Sequence, residues 1–245
     1  MARSIISIWK KFLDGTPEYL ARHYWWAYLW RPAIWFFDHQ PIINLILFGQ
    51  YRRLMTQTLH CLENRPNGRL LQLTCVYGKL TPSLLEHSGN QPMYLIDVAT
   101  AQLEASRNKL EPARRSRLLS ARMNAESLAF KDSAFSTILI FFLMHEMPAA
   151  ARQRTLAETM RVLQAGGRLV ITEYGEEPRR HWIYRLRWLR KQLLFWEPFL
   201  NDFWREDINA KLQDEAGKLG KTLRQVEKHL VFGGFYRVLV YEMDL

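Results

Sequence analysis

Short apolar runs alternate with amphipathic segments through the middle of the chain. The apolar runs are residues 70–73, 93–96, 137–143 and a last one that ends at Tyr174. The amphipathic segments between them are residues 82–86, 101–110 and 149–163. Apolar runs of this length are typical of strands buried on both faces, and strands that alternate with helices form parallel βαβ units. The pattern therefore predicts an α/β domain built on a mostly parallel sheet.

The C-terminal part of the chain has a different pattern. Two β-rich runs, residues 222–231 and 235–243, flank the pair Gly233-Gly234. A Gly-Gly pair between such runs is a hairpin signal, because glycine reaches the positive φ that a tight turn requires. We predict an antiparallel hairpin here.

Two segments combine aromatic side chains with cations. The first is residues 1–60, which hold five of the nine tryptophans, namely Trp9, Trp25, Trp26, Trp30 and Trp35. The second is residues 178–205, where apolar side chains recur at helical spacing, at Trp182, Leu186, Leu189, Leu193 and Trp196. Basic side chains lie mostly off that stripe, which predicts a basic amphipathic helix. We therefore divide the chain into a helical extension (1–60) and a domain (61–245) that carries this helix as an insertion.

Charge narrows the choice of partner for these segments. The formal net charge is +10, which favours an anionic partner. Aromatic rings beside cations are typical of a membrane interface, whereas a nucleic-acid reader would show an RRM, KH, OB or zinc-finger signature, which this chain lacks. The apolar run 41–49 is shorter than the ~20 residues that span a bilayer. We expect contact with a membrane surface and no nucleic acid, although a cap with a solvated basic face, or a lid over the acceptor, fits the same pattern.

Other motifs set limits on the class of protein. The first residues have no small-residue cleavage site, so they do not predict a secretory signal. Cys61 and Cys75 are too few for a disulfide framework, which predicts buried free thiols in a reducing compartment. The sequence has no P-loop, zinc-ligand spacing, HExxH or GxSxG motif, which disfavours the commonest NTPases, metalloproteases and hydrolases.

Acidic and imidazole side chains follow the predicted strands. Asp97 follows the second strand, and His145 and Glu146 follow the third. This is the edge at which parallel sheets bind ligands. Asp97 can accept both hydrogen bonds of a ribose diol, or it can cap a helix that starts near Thr100. His145 and Glu146 are candidates for acid/base catalysis or for divalent-metal binding, with helix capping as the alternative. Glu173 is a weaker candidate, more typical of a solvated loop carboxylate.

The helix-turn-strand element at residues 161–169 is similar to that of class I S-adenosylmethionine-dependent methyltransferases, especially those of quinone biosynthesis. The resemblance covers about residues 69–174. It implies a Rossmann-like fold closed by the C-terminal hairpin, with S-adenosylmethionine as cofactor. Asp97 is the implied ribose ligand and Asn124 the implied adenine ligand. The positions that the resemblance places beside the cofactor are Gln72, Thr74, Val76, Tyr77, Gly78, Asp97, Val98, Asn124, Ala125 and Phe142.

The loop after the first strand departs from that family. Gly78 is the one glycine that remains of three, because Thr74 and Val76 occupy the other two positions, and Gln72 stands where an acid is usual. Val76 is β-branched and resists positive φ, so we expect the loop to follow another path. Tyr77 then lies at the reacting end as a catalytic candidate, or it packs as an aromatic ring under the cofactor.

Three features resemble the rhodoquinone biosynthesis proteins: the loop at residues 75–81, the aromatic N-terminus and the chain length. By this resemblance the chain is identified as a member of that family. That resemblance implies replacement of a ring methoxy group of ubiquinone by an amino group. It also implies that S-adenosylmethionine gives the nitrogen, that a divalent metal, manganese, assists, and that the protein lies on the cytoplasmic or mitochondrial-matrix face of the inner membrane. Two alternatives stay open: a conventional methyltransferase on a lipophilic quinone-like acceptor, and a non-catalytic quinone-binding subunit.

Overall fold

The structure is a computed structural model that describes residues 15–89 and 91–244. Its seven strands are β1 (Leu70–Leu73), β2 (Met93–Asp97), β3 (Leu118–Arg122), β4 (Phe135–Phe141), β5 (Leu163–Tyr174), β6 (Leu223–Val231) and β7 (Tyr236–Met243). They form one sheet in the order β3-β2-β1-β4-β5-β7-β6. Strands β1 to β5 are parallel, and β7 is antiparallel to both β5 and β6. The predicted Rossmann-like fold with a C-terminal antiparallel hairpin is confirmed.

The described residues contain eleven α-helices and three shorter helical turns. The α-helices are α1 (Trp25–Tyr28), α2 (Arg31–Phe37), α3 (Gln40–Ile46), α4 (Tyr51–Cys61), α5 (Leu80–His87), α6 (Thr100–Asn108), α7 (Ala149–Val162), α8 (Trp182–Arg185), α9 (Arg187–Trp196), α10 (Leu200–Phe203) and α11 (Ile208–Lys218). The turns are a π-helical one at Leu20–Tyr24 and 3₁₀ ones at Pro112–Arg117 and Met144–Glu146.

The apolar runs form the centre of the sheet. Every residue of β1 and of β4 is buried, as expected for strands covered on both faces. The edge strand β6 has a mostly polar, exposed sequence instead. Because β1, β2, β4 and β5 are parallel, their carboxyl ends meet along one edge, and this edge carries the candidate site.

The extension is helical, as predicted, although Trp9 lies outside the described residues. The prediction of one amphipathic helix through residues 182–196 is wrong, since Leu186 has ψ 97° and separates α8 from α9. Ile183 of α8 is fully buried, whereas no residue of α9 is. The break at Leu186 lets α8 contact the core while α9 lies at the surface. The domain division at residue 60, near the end of α4, stays a prediction. In the described part of the chain, no helix is both long and apolar enough to cross a bilayer.

Candidate active site

The loop after β1 is held in place by the extension and by a lysine. The Tyr51 hydroxyl accepts hydrogen bonds from the amides of Lys79 and Leu80 at 2.7 and 3.0 Å, and the Gly78 amide donates to Asp38 at 2.8 Å. The Lys109 ammonium donates to the carbonyl oxygen of Gly78 at 3.1 Å and pairs with Asp38. A Cβ at Gly78 would lie 2.6 Å from the Tyr51 oxygen, so this close approach and its φ of 78° both require glycine.

Thr74 takes the left-handed conformation in this loop. Its φ is 72°, whereas Val76 is absent from the described non-glycine residues with positive φ. The expectation that Val76 avoids positive φ therefore agrees with the structure. Gln72 is buried behind the loop, where its amide donates to the Thr74 carbonyl at 2.9 Å and contacts the Thr81 hydroxyl at 3.1 Å. These bonds tie the end of β1 to α5.

A cavity of about 180 Å³ opens at the carboxyl edge of the sheet. Eight of the ten positions expected beside the cofactor line it, while Gln72 and Gly78 lie behind it. The eight are Thr74, Val76, Tyr77, Asp97, Val98, Asn124, Ala125 and Phe142. The structure thus brings together residues that are up to 68 positions apart in the sequence, from Thr74 to Phe142.

Asp97 links β2 to the loop. Its two carboxylate oxygens accept hydrogen bonds from the amides of Ala99 and Cys75, each at 2.8 Å. Burial raises the pKa of Asp97 to about 6, although these amide bonds lower it. The N-cap of α6 is Ala99, so the capping alternative for Asp97 is wrong. The Val98 amide and the Cys75 thiol also hydrogen-bond to this carboxylate, which faces the cavity. A ribose diol that binds Asp97 would therefore share its oxygens with these groups.

His145 and Glu146 meet two further carboxylates, of which Glu197 also lines the cavity. The His145 Nδ1 lies 2.7 Å from Glu173 Oε1, and its Nε2 lies 3.9 Å from Glu146 Oε1 and 3.7 Å from Glu197 Oε2. The Nδ1 contact is an ion pair rather than an in-line hydrogen bond, because the ring N–H does not point along it. We call these four side chains, His145, Glu146, Glu173 and Glu197, the acidic cluster.

Glu173 fixes the turn that carries the cluster. Its Oε2 accepts hydrogen bonds from the amides of Met144 at 2.9 Å and His145 at 3.4 Å, and it is 1% exposed. The interpretation of Glu173 as a solvated loop carboxylate is therefore wrong: the residue is the penultimate one of β5 and faces the protein interior. The capping alternative for His145 and Glu146 is also wrong, because they form a 3₁₀ turn and α7 begins at Ala149, with Pro148 as its N-cap.

The acidic cluster holds protons near neutral pH. Burial raises the pKa of Glu146 to about 8, against the lowering effects of the His145 charge and of a hydrogen bond from Tyr28. Burial lowers the pKa of His145, but the carboxylates of Glu173 and Glu197 outweigh it and raise the value to about 9. Burial also raises the pKa of Glu197. Groups with such values can accept and return a proton under physiological conditions.

The extension completes the cavity with tyrosines. The Tyr24 hydroxyl donates to Glu197 at 3.0 Å, and the Tyr28 hydroxyl donates to Glu146. The Tyr28 ring stacks on Tyr77 with centroids 5.8 Å apart, and the Tyr77 hydroxyl donates to the Ala27 carbonyl at 2.5 Å. Tyr77 therefore joins the loop to the extension. Its proposed catalytic role stays a prediction.

Sequence reasoning missed three members of this site. Tyr24 and Tyr28 belong to the extension, and Glu197 follows α9, so none of them ends a predicted strand. A signal for Glu197 was present in the sequence. It is the one acidic residue between Arg179 and Asn201, a stretch rich in basic and aromatic residues. When an isolated carboxylate in such a segment is buried, it is expected to pair with another polar group.

His145 Nε2 lies 3.9 Å from Glu146 and 3.7 Å from Glu197, but these three side chains do not bring their ligand atoms together as a metal site does. One group in the described residues does so: Cys61, Glu227 and His229 bring three ligand atoms within 4.8 Å of one another. The guanidinium of Arg168 lies 3.9 Å from Glu227 there, and this positive charge disfavours a cation.

Comparisons with known proteins agree with this fold. Residues 70–167 match a family described as a methyltransferase domain. The ubiquinone/menaquinone biosynthesis C-methyltransferase UbiE of Vibrio parahaemolyticus is 30% identical over 138 residues, which are 55% of this chain and 52% of that protein. The UbiE of Ruegeria sp. is 30% identical over 136 residues, 55% of this chain and 54% of that protein. The chain thus spans about half the length of these curated relatives.

Solved structures extend the likeness to most of the chain. The N-methyltransferase NodS of Bradyrhizobium japonicum is 17% identical with a TM-score of 0.55, covering 79% of this chain and 96% of that one. The [4+2]-cyclase SpnF is 18% identical with a TM-score of 0.50, covering 79% and 81%. These likenesses establish the fold, and the cyclase shows that the fold also carries other reactions. The chain therefore has the class I S-adenosylmethionine-dependent methyltransferase fold, and its residues 70–167 match a methyltransferase domain.

Proposed function

We propose that this protein is an S-adenosylmethionine-dependent transferase that acts on a quinone, and that the group it transfers to ubiquinone is an amino group, which gives rhodoquinone. The observation that carries the proposal is the acidic cluster: three of its members, His145, Glu146 and Glu197, line the same cavity as Asp97 and Asn124. The UbiE relatives support a quinone acceptor and the resemblance of the loop at residues 75–81 supports amino transfer.

Asp97 and Asn124 fit the adenosine part of the cofactor. Asp97 presents a buried carboxylate at the cavity wall, where it would accept hydrogen bonds from a ribose. The Asn124 side-chain oxygen, which accepts from the Glu126 amide at 3.0 Å, has one more lone pair for an adenine amino group. Val98, Ala125 and Phe142 provide apolar surface beside them. When bound, S-adenosylmethionine supplies either an amino nitrogen or an activated methyl group.

The acidic cluster supplies the proton transfers. Exchange of a ring methoxy group for an amino group forms a ring C–N bond while methoxide leaves as methanol, so it needs a base that takes a proton from the nitrogen and an acid that protonates the methoxide. Release of the aminoquinone then breaks the Cα–N bond of the donor by elimination, in which a base takes a β-proton and the rest of the donor leaves as an α,β-unsaturated acid. With pKa values raised to about 8 and 9, Glu146 and His145 can take up and give these protons near neutral pH. Methylation of a ring carbon would need the base alone. The cluster therefore contains an acid as well as a base, whereas methyl transfer needs only the base.

Manganese would require the cluster to rearrange, because the ligand atoms of His145, Glu146 and Glu197 do not converge as in a metal site. Held by these imidazole and carboxylate donors, the ion would act as a Lewis acid toward a quinone oxygen, and it would replace the acid/base role of His145 and Glu146 rather than add to it. The rings of Tyr28, Phe37 and Tyr77 would offer the flat apolar surface that a quinone ring requires. Catalysis by Tyr77 is part of this proposal, with its hydroxyl released from Ala27 when the extension opens.

The test uses S-adenosylmethionine labelled at two positions, with nitrogen-15 at the amino group and carbon-13 at the methyl group. The purified protein is incubated with it, ubiquinone and manganese, and the quinone is analysed by mass spectrometry. Nitrogen-15 in an aminoquinone supports amino transfer. Carbon-13 in the quinone would instead support the methyltransferase alternative, which the UbiE relatives favour. If neither isotope is found in the quinone, the remaining alternative is a non-catalytic quinone-binding subunit.

A matched pair of variants connects the product to the cluster. Glu146→Gln keeps the size of the side chain and removes the base, so we expect product formation to fall at least 100-fold. Glu63→Gln changes an exposed glutamate that pairs with His60 outside the cavity, and it should leave the rate unchanged. Equal rates for both variants would exclude Glu146 as the base.

A further inference from the structure

Helix α9 has an unusual environment. None of its ten residues is buried, although six of them are large aromatic or aliphatic side chains. The three leucines are half-buried and pack against the core, whereas Trp188 is 66% exposed, Phe195 is 72% exposed and Trp196 is 51% exposed. The three aromatic side chains therefore leave an exposed apolar surface on this helix.

The extension has the same property. Eleven of the fifteen large hydrophobic side chains recorded as exposed in the described residues belong either to residues 25–46 or to residues 182–196. In the extension, Trp35 is 69% exposed and Leu45 is 75% exposed. Single exposed apolar residues are normal in soluble proteins, but a concentration in two segments indicates a surface with a partner.

These two segments form one continuous surface. The rings of Trp26 and Trp196 meet with centroids 5.2 Å apart, and Tyr24 donates to Glu197 just after α9. Trp26 and Trp196 also line the cavity of the active site. We call the exposed apolar side chains of residues 25–46 and 182–196 the aromatic face. Two of its members, Ile46 and Trp196, also line the cavity, so the aromatic face reaches the cavity wall.

The charge of the second segment indicates the chemistry of the partner. Helix α9 carries Arg187, Arg190 and Lys191 and no acid, and the exposed Arg185 precedes it. Tryptophan and phenylalanine beside arginine and lysine, on a helix too short to cross a bilayer, are the features of a helix that lies in the interface of an anionic membrane.

We propose that the aromatic face lies in the headgroup region of an anionic lipid bilayer and that the cavity receives its quinone directly from the lipid. Delivery of the quinone from the lipid rests on the proposed function, whereas the contact of the aromatic face with the membrane does not. The side chains of Trp188 and Phe195 enter the interface, and Arg187 and Lys191 contact lipid phosphates. The location on the cytoplasmic or matrix face of an inner membrane remains a prediction.

Flotation of the full chain with lipid vesicles tests the contact between the aromatic face and the membrane. Vesicles of phosphatidylcholine with 30% phosphatidylglycerol (about one anionic lipid in three) are expected to bind the wild type, and the double variant Trp188→Ser/Phe195→Ser should bind at least tenfold more weakly. The control is Leu219→Ser/Leu230→Ser, which removes two exposed apolar side chains outside the aromatic face. Arg187→Gln/Lys191→Gln should lose roughly tenfold in binding to anionic vesicles while keeping its weaker binding to neutral ones.

Two outcomes would overturn the proposal. One is equal flotation of the Trp188/Phe195 variant and its control. The other is a wild type that does not float but is dimeric, and becomes monomeric on Trp188→Ser/Phe195→Ser, because the aromatic face would then be covered by a second copy of the chain.

Activity separates this proposal from the proposed function. The Trp188/Phe195 variant should convert a short-tailed, water-soluble quinone at the wild-type rate and lose turnover of a long-tailed quinone embedded in vesicles. Loss of vesicle binding with no change in long-tailed turnover would exclude delivery from the lipid. A wild type that floats but converts neither quinone would contradict the proposed function and leave the membrane contact intact.

Discussion

Tyr28 controls the proton affinity of the acidic cluster from outside the methyltransferase domain. Its hydroxyl donates to Glu146 and so stabilises the charged carboxylate, which lowers a pKa that burial raises. The residue therefore has a chemical effect at the site that its position in the extension does not suggest.

We expect Tyr28→Phe to raise the pKa of Glu146 above about 8. A base must be deprotonated to act, so the rise of the rate with pH should move about one pH unit upward, as loss of a hydrogen bond to a charged group implies. Single-turnover rates between pH 6.5 and 10 measure this. Tyr184→Phe removes a similar bond to Glu177 outside the cavity and should leave the profile in place. An unshifted profile for Tyr28→Phe would exclude Glu146 as the titrating base.

Thr74 gives a prediction about stability. A non-glycine residue at φ 72° is strained by about 1 kcal/mol or more, so Thr74→Gly should be more stable to urea than Thr74→Ala by about 1 kcal/mol. Both variants lose the same side chain, which isolates the backbone effect. At Val76 the order should reverse, because glycine there only adds freedom to the unfolded chain. The same order at both positions would contradict the loop geometry.

The turn Met144–Glu146 is positioned by the helix that follows it. Arg152 of α7 is fully buried; its guanidinium pairs with both oxygens of Glu206, at 2.9 and 2.6 Å, and donates to the carbonyls of Met144 and Met147. A single side chain thus holds both ends of the turn that presents the acidic cluster.

Replacement of Arg152 by Met should cost about 3 kcal/mol in the free energy of unfolding, because it leaves the Met147 carbonyl buried without a partner and leaves Glu206 with Lys211 alone. Urea denaturation measures this loss. Arg154→Met is the matched control, since Arg154 pairs with Glu126 at the surface and is 58% exposed in its side chain; about 1 kcal/mol or less is expected there. Similar losses for the two variants would show that Arg152 does not anchor the turn.

Helices and strands could be predicted from the sequence where a local requirement, such as continuous burial or a tight turn, decides the structure. Strands β1, β2, β4 and β5 were predictable because they are buried and largely apolar, and the hairpin was predictable because of Gly233-Gly234. Strand β3 was not predicted, because it is a short edge strand with a half-exposed, partly polar sequence. The break at Leu186 was not, because helical periodicity continues through it and the buried contact of Ile183 depends on tertiary structure. Glu173 was misjudged because a carboxylate near a strand end reads as solvated unless its partners, here the amides of Met144 and His145, are known.

The whole molecule builds its cavity from three parts: the methyltransferase domain, the extension and the segment after α9. The cavity holds about 180 Å³, whereas sites for small molecules usually need roughly 300 to 1,000 Å³. If the cavity receives both a cofactor and a quinone, as proposed, the extension has to move away from the acidic cluster.

Hydrogen exchange tests this opening. Amides of α2, in the extension, should exchange much faster than those of β4 in the free protein, because the extension must open while the central strand must not. Addition of S-adenosylhomocysteine together with a short-tailed quinone should slow α2 at least tenfold and leave β4 unchanged. Equal exchange of α2 with and without these ligands would contradict a moving extension.

The hydrogen bond between Tyr24 and Glu197 joins residues 173 positions apart. During synthesis, the loop and Asp97 leave the ribosome while Glu197 and strand β7, the antiparallel neighbour of β5, have not yet been made. A nascent chain that ends before Glu197 therefore carries Asp97 and Asn124 without the complete acidic cluster. Under the proposed function, such a chain would lack a complete set of proton-transfer groups until Glu197 has been made.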